Sequence, residues 1–442
     1  MVFQSVLTLT ASYSVLGIPM EFILFALTLL GVALFHNHTL KVALTGLLAI
    51  LIFKEASTDF SIVDHILGSP EHEGEWHILL NLFGLLTGFT ILADHFEKSG
   101  IPKKLPNILP NNWRGGFLLL VLIAIISSFL DNIAAAMIGG AVAHVVFKGK
   151  VHIGYIAAIV GASNAGGAGS VVGDTTTTMM WIDGVSAFDV LHAFIASATA
   201  IVIFGIFAAF QQHNFQPIVK EAHQIVVIDY AKLVVVFLIL TGAILTNIFL
   251  DFPAAGVWAA IILGALIRPV PWKMLPGAIQ GSIFLLSLVM CASMMPVEQL
   301  PPASWQTAFL LGFVSAVFDN IPLTKLALEQ GGYDWGVLAY SVGFGGSMIW
   351  FGSSAGVAIS NIYPEAKSVV KWIKHGWHIF IAYIIGFYVL LGTMGWHPQE
   401  PHKEKKIPRI HLNTTPISEV PDFSNDLFAS PYLSKGEEKI YL

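Results

Sequence analysis

The chain has 442 residues, 55% of them hydrophobic and 11% charged, with a mean hydropathy of +0.74. Soluble domains carry about 25% charged residues, so this composition excludes a soluble protein with a large core. The net charge of −6 says little without its placement, and the single cysteine, Cys291, excludes a disulfide framework or a Cys-based metal site.

The apolar residues form long runs separated by short polar breaks, as in a polytopic helical membrane protein. Outer-membrane barrels show alternating segments of about ten residues, and that pattern is missing. Residues 1–19 contain no Lys or Arg, which argues against a cleaved signal peptide. In chain order, candidate spans fall at 20–35, 40–53, 77–96, 188–210, 230–248, 253–267, 279–297 and 376–396. Segments 152–184 and 336–362 are apolar at both ends but polar and glycine-rich in the middle, and read as broken helices. Segments 115–147 and 305–329 contain "SSFLDNIAAAMIGG" and "SAVFDNIPLTKL", in which a Ser-x-x-x-Asp-Asn-Ile frame returns 188 positions later (319 − 131).

Charge placement sets the topology. Lys41, Lys98, Arg114, Lys148, Lys150, Lys220, Lys232, Arg268, Lys273 and Lys371 mark one set of loops, while the intervening loops are acidic with Lys54 as their only cation. The positive-inside rule makes the first set cytoplasmic. Both flanks of 115–147 then lie inside and both flanks of 305–329 outside, so each reads as a re-entrant hairpin with Asp-Asn at its tip. The halves match in order: three spans, a hairpin, a broken helix, a final span. Each crosses five times, so the second is inverted, a recurrent design of secondary transporters. The expected fold is therefore an all-α polytopic membrane protein with two inverted repeats, 20–210 and 230–396. An N-terminal segment, 1–19, precedes them, and a cytoplasmic linker, 211–229, joins them. The polar tail, 397–442, reads as disordered; its start, "HPQEPHKEKKIPR", is basic although the span count places it outside.

Non-helical backbone within a bilayer must line a cavity or be buried in protein. The first break, "GASNAGGAGSVVGDTTTTMMW", offers Ser163, Asn164, Asp174, Thr175 and Thr176; the second, "GFGGSMIWFGSSAGVAISN", offers Ser347, Ser353 and Ser354 but no acid. A membrane carboxylate costs several kcal/mol unless it pairs, protonates or binds a cation. Hairpin tips converging on the breaks would gather Asp131, Asn132, Asp319, Asn320 and Asp174. Oxygen-only ligation suits a small hard cation such as Na⁺, expected at Asp131, Asn132, Asp319 and Asn320, with no other cofactor. The same carboxylates also take protons, and competition between Na⁺ and H⁺ at one alternately exposed site suffices for antiport.

Simpler roles stay open at this stage. Asp131, Asp319 and Asp174 each precede a helix and would serve as N-caps, and threonines 175–178 can bond to preceding carbonyls. Lys325 reads either as the salt-bridge partner of an aspartate or as a second proton carrier. Paired intramembrane aspartates also make proteases, but those carry Gly-x-Gly-Asp, whereas Val171-Val172-Gly173 precede Asp174. The chain is not read as an enzyme.

"LDNIAAAMI", "SNAGGAGSVVGDTTTTMMWI", "FDNIPLTKLA" and "LAYSVGFGGSMIWFGSSAGVAI" together resemble the NhaD-type sodium/proton antiporters of the ion transporter superfamily, over roughly residues 110–395. The resemblance implies exchange of Na⁺ (or Li⁺) for H⁺ across a bacterial inner membrane by alternating access, commonly as a homodimer, with no nucleic-acid partner. It assigns Asn164, Gly166 and Asp174 to the first unwound loop and Gly346, Ser347, Ser353 and Ser354 to the second. The superfamily includes dicarboxylate carriers, whose tips carry Ser-Asn-Thr. Asp131-Asn132-Ile133 and Asp319-Asn320-Ile321 put negative charge where an anionic substrate would sit, which favours a cation. The alternative is a sodium- or proton-coupled carrier of an organic anion or oxyanion on the same fold. The family's acidic residue near the start of the third span is replaced here by His77 and Asn81.

Overall fold

The computed structural model describes residues 14–35, 38–69, 74–219 and 226–399. The readings of residues 1–13 and of the tail beyond 399 lie outside the described residues. A small antiparallel ribbon, β1 (Ser14–Val15) and β2 (Ile18–Pro19), turns through Leu16 and Gly17, both at positive φ. It leads into α1 (Met20–Leu34), so residues 14–19 are not part of a membrane helix. There follow α2 (Thr39–Ser57), short α3 (Ile62–Leu67), α4 (Trp76–Glu97) and α5 (Ile101–Ile108).

Helices α6 (Trp113–Ser127) and α7 (Asn132–Val146) are separated by only four residues. Asn112 starts the first by accepting a hydrogen bond from the amide of Arg114. The first broken helix consists of α8 (Ile153–Gly167) and α9 (Thr175–Ile182), with α10 (Ala187–Leu191) and the long α11 (Ala193–Phe215) after it.

The second half runs through α12 (Tyr230–Leu250), α13 (Pro253–Gly264) and α14 (Leu275–Ser293), then the close pair α15 (Trp305–Ser315) and α16 (Asn320–Gln330). A reciprocal capping box between Ser304 and Thr307 starts α15. The second broken helix is α17 (Trp335–Gly345) and α18 (Ser354–Ile362), followed by α19 (Val369–His375) and α20 (Trp377–Met394).

Among the described residues, five helical stretches are long and apolar enough to cross a bilayer: Trp76–Glu97, Ala187–Phe215, Tyr230–Leu250, Trp272–Ser293 and Trp377–Met394. The expected span at 253–267 is shorter than its apolar window: α13 has 12 residues, about 18 Å of helix against a hydrocarbon core of about 30 Å. Along α12, Phe237, Ile248 and Phe249 are exposed, a large apolar surface that a bilayer would solvate. On its inner side α12 lies close to α13: a Cβ on Gly256 would run into the carbonyl of Gly242, the small-residue contact that lets membrane helices approach.

Helix contacts sort the chain into two bundles. Helices α1, α2, α4, α12, α13 and α14 pack among themselves, and α6 to α11 pack with α15 to α20. The bundles meet where α14 lies against α16 and α4 against α7 and α9. An apolar cluster at the first seam joins Phe25, Leu29, Ile50, Leu288 and Cys291 to Leu326 of α16.

Candidate functional site

Serine hydroxyls and glycines set the position of the two unwound segments. At the end of α6 the Ser127 hydroxyl donates to the carbonyl of Ser163 at 2.6 Å; at the end of α15 the Ser315 hydroxyl donates to that of Val342 at 2.7 Å. The Ser128 hydroxyl donates to Gly166 at 3.0 Å, and the Ser170 hydroxyl returns a bond to the carbonyl of Ser128 at 2.6 Å. Any Cβ on Gly166 would collide with the carbonyl of Ala124, and one on Gly345 with that of Gly312. The glycines thus let the hairpin backbones touch the broken helices where their helical bonding stops, and Gly166 acts in packing.

The segment between α8 and α9 ends at Asp174, which is 1% exposed. Its Oδ2 accepts from the Thr176 hydroxyl at 2.7 Å, and its Oδ1 from Asn132 Nδ2 at 3.1 Å. The Thr175 hydroxyl is farther, at 3.4 Å. Asn132 Nδ2 also donates to Asn164 Oδ1 at 3.0 Å. Asn164 Nδ2 in turn donates to the hydroxyls of Ser347 at 2.9 Å and Ser353 at 3.1 Å. One hairpin and both broken helices are thereby joined through a chain of buried polar side chains, as buried polar groups require.

The tip aspartates flank this cluster. Asp319 Oδ1 caps α16 by accepting from the amide of Ile321 at 3.0 Å, and its Oδ2 accepts from the Ser354 hydroxyl at 3.1 Å. Asp131 occupies the matching position before α7, with the amides of Ile133 and Ala134 facing its carboxylate, but none meets hydrogen-bond geometry and the buried Oδ1 has no partner. Asn320 Nδ2 is likewise buried and without a partner among the described residues. Asp174 interacts electrostatically with Asp131 on one side and Asp319 on the other. No hydrogen bond joins the two tip aspartates among the described residues; Asp174 mediates between them.

The structure gives Ser163 and Lys325 partners that the sequence does not disclose. The Ser163 hydroxyl donates to the carbonyl of Val160 at 2.9 Å, which leaves its oxygen free to act as an acceptor. Lys325 pairs with no aspartate of the site: its Nζ lies 2.9 Å from Glu75 and 2.5 Å from Glu329. Thr176 is a closer partner of Asp174 than Thr175 is, and its amide, 3.5 Å from Oδ1, is the one a capping aspartate is expected to face. Asn81 is buried in the other bundle, where its Oδ1 accepts from the amide of Ala254 at 3.2 Å and ties α4 to α13.

No protein-family model matches the chain. It is 24% identical over 409 residues to "Sodium/proton antiporter 1" of Arabidopsis thaliana, covering 82% of this chain and 67% of the relative. "Sodium/proton antiporter 2" of the same plant is 26% identical over 318 residues, covering 61% and 72%. "Na(+)/H(+) antiporter NhaD" of Alkalimonas amylolytica is 26% identical over 334 residues, covering 63% and 68%. The chain is similar to the NhaD-type sodium/proton antiporters. Among the described residues no three His, Cys, Asp or Glu side chains are grouped as a metal centre requires, whereas the cluster mixes carboxylate, amide and hydroxyl oxygens.

Proposed function

We propose that this chain exchanges Na⁺ (or Li⁺) for H⁺ across a membrane, taken here as the inner membrane of a bacterium. One observation carries the reading. Asp174 is buried at the meeting point of two interrupted helices, hydrogen-bonded only by neutral amides and hydroxyls, with the Asp131 carboxylate acting on it from the adjacent hairpin tip. Negative charge in such a place needs compensation by a bound cation or a proton. A site that must hold one or the other, and is exposed to each side in turn, couples their movements.

The proposed ligand set is Asp131, Asn132, Asn164, Asp174, Thr175 and Thr176 from the first half and Asp319, Asn320, Ser347, Ser353 and Ser354 from the second. Two inverted repeats, each with a re-entrant hairpin, supply it. Support comes from the recurrence of the cap positions, Asp131 with Asp319 and Asp174 with Ser353. In the alternating-access step the bundle containing the hairpins moves against the bundle of α1, α2, α4 and α12 to α14.

Everted vesicles holding a preformed pH gradient and a pH-sensitive dye test this. Addition of NaCl or LiCl should dissipate the gradient, and Asp131→Asn, Asp174→Asn or Asp319→Asn should abolish the response. A signal that depends on a dicarboxylate or oxyanion, with none from Na⁺ alone, would replace the proposal by an anion carrier of the same fold.

A further inference from the structure

Lys325 is 1% exposed and lies six residues beyond Asp319 on α16, the helix whose N-terminus holds that hairpin tip. Its ammonium contacts both oxygens of Glu75, at 3.0 and 2.9 Å. Glu75 is the residue before α4 and therefore belongs to the other bundle. The second partner, Glu329, sits one turn further along α16 itself, at 2.5 Å. Asp183, at the end of α9 in the same bundle as α16, adds negative charge at the same spot, and His65 of α3 faces both Glu75 and Lys325.

We propose that the Lys325–Glu75 pair is a releasable latch between the two bundles, opened and remade in each transport cycle; this rests on the alternating-access reading above. The division of partners is the reason. An ammonium buried against Glu75 alone would be left uncompensated if the bundles slid apart, and an isolated buried charge is prohibitively unfavourable. Because Glu329 and Asp183 belong to its own bundle, Lys325 can leave Glu75 without becoming a bare charge. The residue beside it, Leu326, packs into the apolar seam with α14, a surface without directional bonds. The seam can slide, and the ion pair fixes one of its positions.

The two glutamates therefore have opposite expected effects. Glu75→Gln cuts the tie between bundles while Lys325 stays compensated, so the seam opens more often. Glu329→Gln removes the counter-charge that travels with Lys325, so the grip on Glu75 tightens. The probe is Leu326→Cys in a Cys291→Ala chain, labelled with N-ethylmaleimide in membrane vesicles without any ion gradient. Ala200→Cys, fully buried within one bundle, reports unfolding. Glu75→Gln should speed labelling at 326 by at least about tenfold, as weakening a buried ion pair shifts a two-state equilibrium. Glu329→Gln should slow it, Lys325→Arg should keep the parental rate, and position 200 should stay unlabelled throughout. Unchanged labelling at 326 in Glu75→Gln overturns the latch. A parallel rise at 200 overturns it too, because the pair would then be a plain structural clamp. Since labelling needs neither Na⁺ nor a gradient, a failed exchange assay would sink the transport reading without altering this result.

Discussion

Replacing Asn164 by alanine tests the candidate site where its parts are joined. Asn164 is fully buried, accepts from Asn132 and donates to Ser347 and Ser353. The substitution removes three hydrogen bonds at about 1 kcal/mol net each. The serine hydroxyls can rotate towards other acceptors and Asn132 keeps its bond to Asp174, so the expected loss is about 2–3 kcal/mol. If that energy maintains the cation-binding arrangement, the half-saturating Na⁺ concentration in the vesicle assay should rise about 30- to 150-fold. Asn81→Ala is the control. Asn81 is equally buried and hydrogen-bonded to His77 and Ala254, but it lies in the other bundle. It should lower the melting temperature of the purified protein and leave Na⁺ affinity unchanged. The reasoning is refuted if Asn164→Ala is folded and inserted yet shifts Na⁺ affinity by less than about threefold, the effect of a single weak hydrogen bond.

Thr176→Val removes the 2.7 Å bond to Asp174, a contact to a charged group, and should weaken Na⁺ response by about ten- to a hundredfold in the same assay. Thr175→Val removes a bond of 3.4 Å and should change it by less than about twofold. Gly343→Ala would set a Cβ 3.2 Å from Asp174 Oδ2 and should reduce the maximal exchange rate while expression remains normal. On the loop side, hydrogen bonds from Arg268 hold the Asp229 carboxyl below its ordinary pKa. A depressed folded pKa contributes stability above the unfolded value and loses it as pH falls through the folded one. Arg268→Gln should therefore lower the melting temperature at neutral pH, with the difference fading below about pH 4 and in about 1 M salt.

What the sequence could disclose follows from the range of each signal. An Asp-Asn pair interrupting an apolar run and a glycine-rich break between apolar ends are local patterns, and local backbone rules place them at helix starts and unwound segments. The direction of a side chain and the identity of its partner are not local. Nothing near Ser163 says that its hydroxyl turns back to Val160, and nothing near Lys325 points to Glu75, 250 positions away. The short helices α3, α10 and α19 are too brief to build an apolar period. The helix at 253–267 is shorter than its apolar run for the converse reason: hydropathy counts Ala265 to Ile267 as apolar, but the chain turns there after Gly264, with the amides of Leu266 and Ile267 bonding only three residues back.

The asymmetry between the halves has a steric cause at the centre of the site. Asp174 and Ser353 cap the second pieces of their broken helices, and the same spacing of 179 (353 − 174) relates Asn164 to Gly343 (343 − 164). An asparagine at 343 would have to share the space of Asp174, because even a methyl group there approaches its carboxylate to 3.2 Å. A second aspartate at 353 could accept from the Asn164 amide as Ser353 does, but it would bring another negative charge to a cluster that already carries Asp174. Within the broken helices one half therefore supplies the carboxylate and the amide and the other supplies hydroxyls and the space at Gly343, while each half adds an aspartate and an asparagine from the segment before, Asp131-Asn132 and Asp319-Asn320. A symmetric pair of broken helices would add a fourth carboxylate beside Asp131, Asp174 and Asp319 and demand a further compensating cation or proton. On the proposed reading, the serine at 353 keeps down the number of charges the cluster must compensate at once, which favours competition between Na⁺ and H⁺ at Asp174.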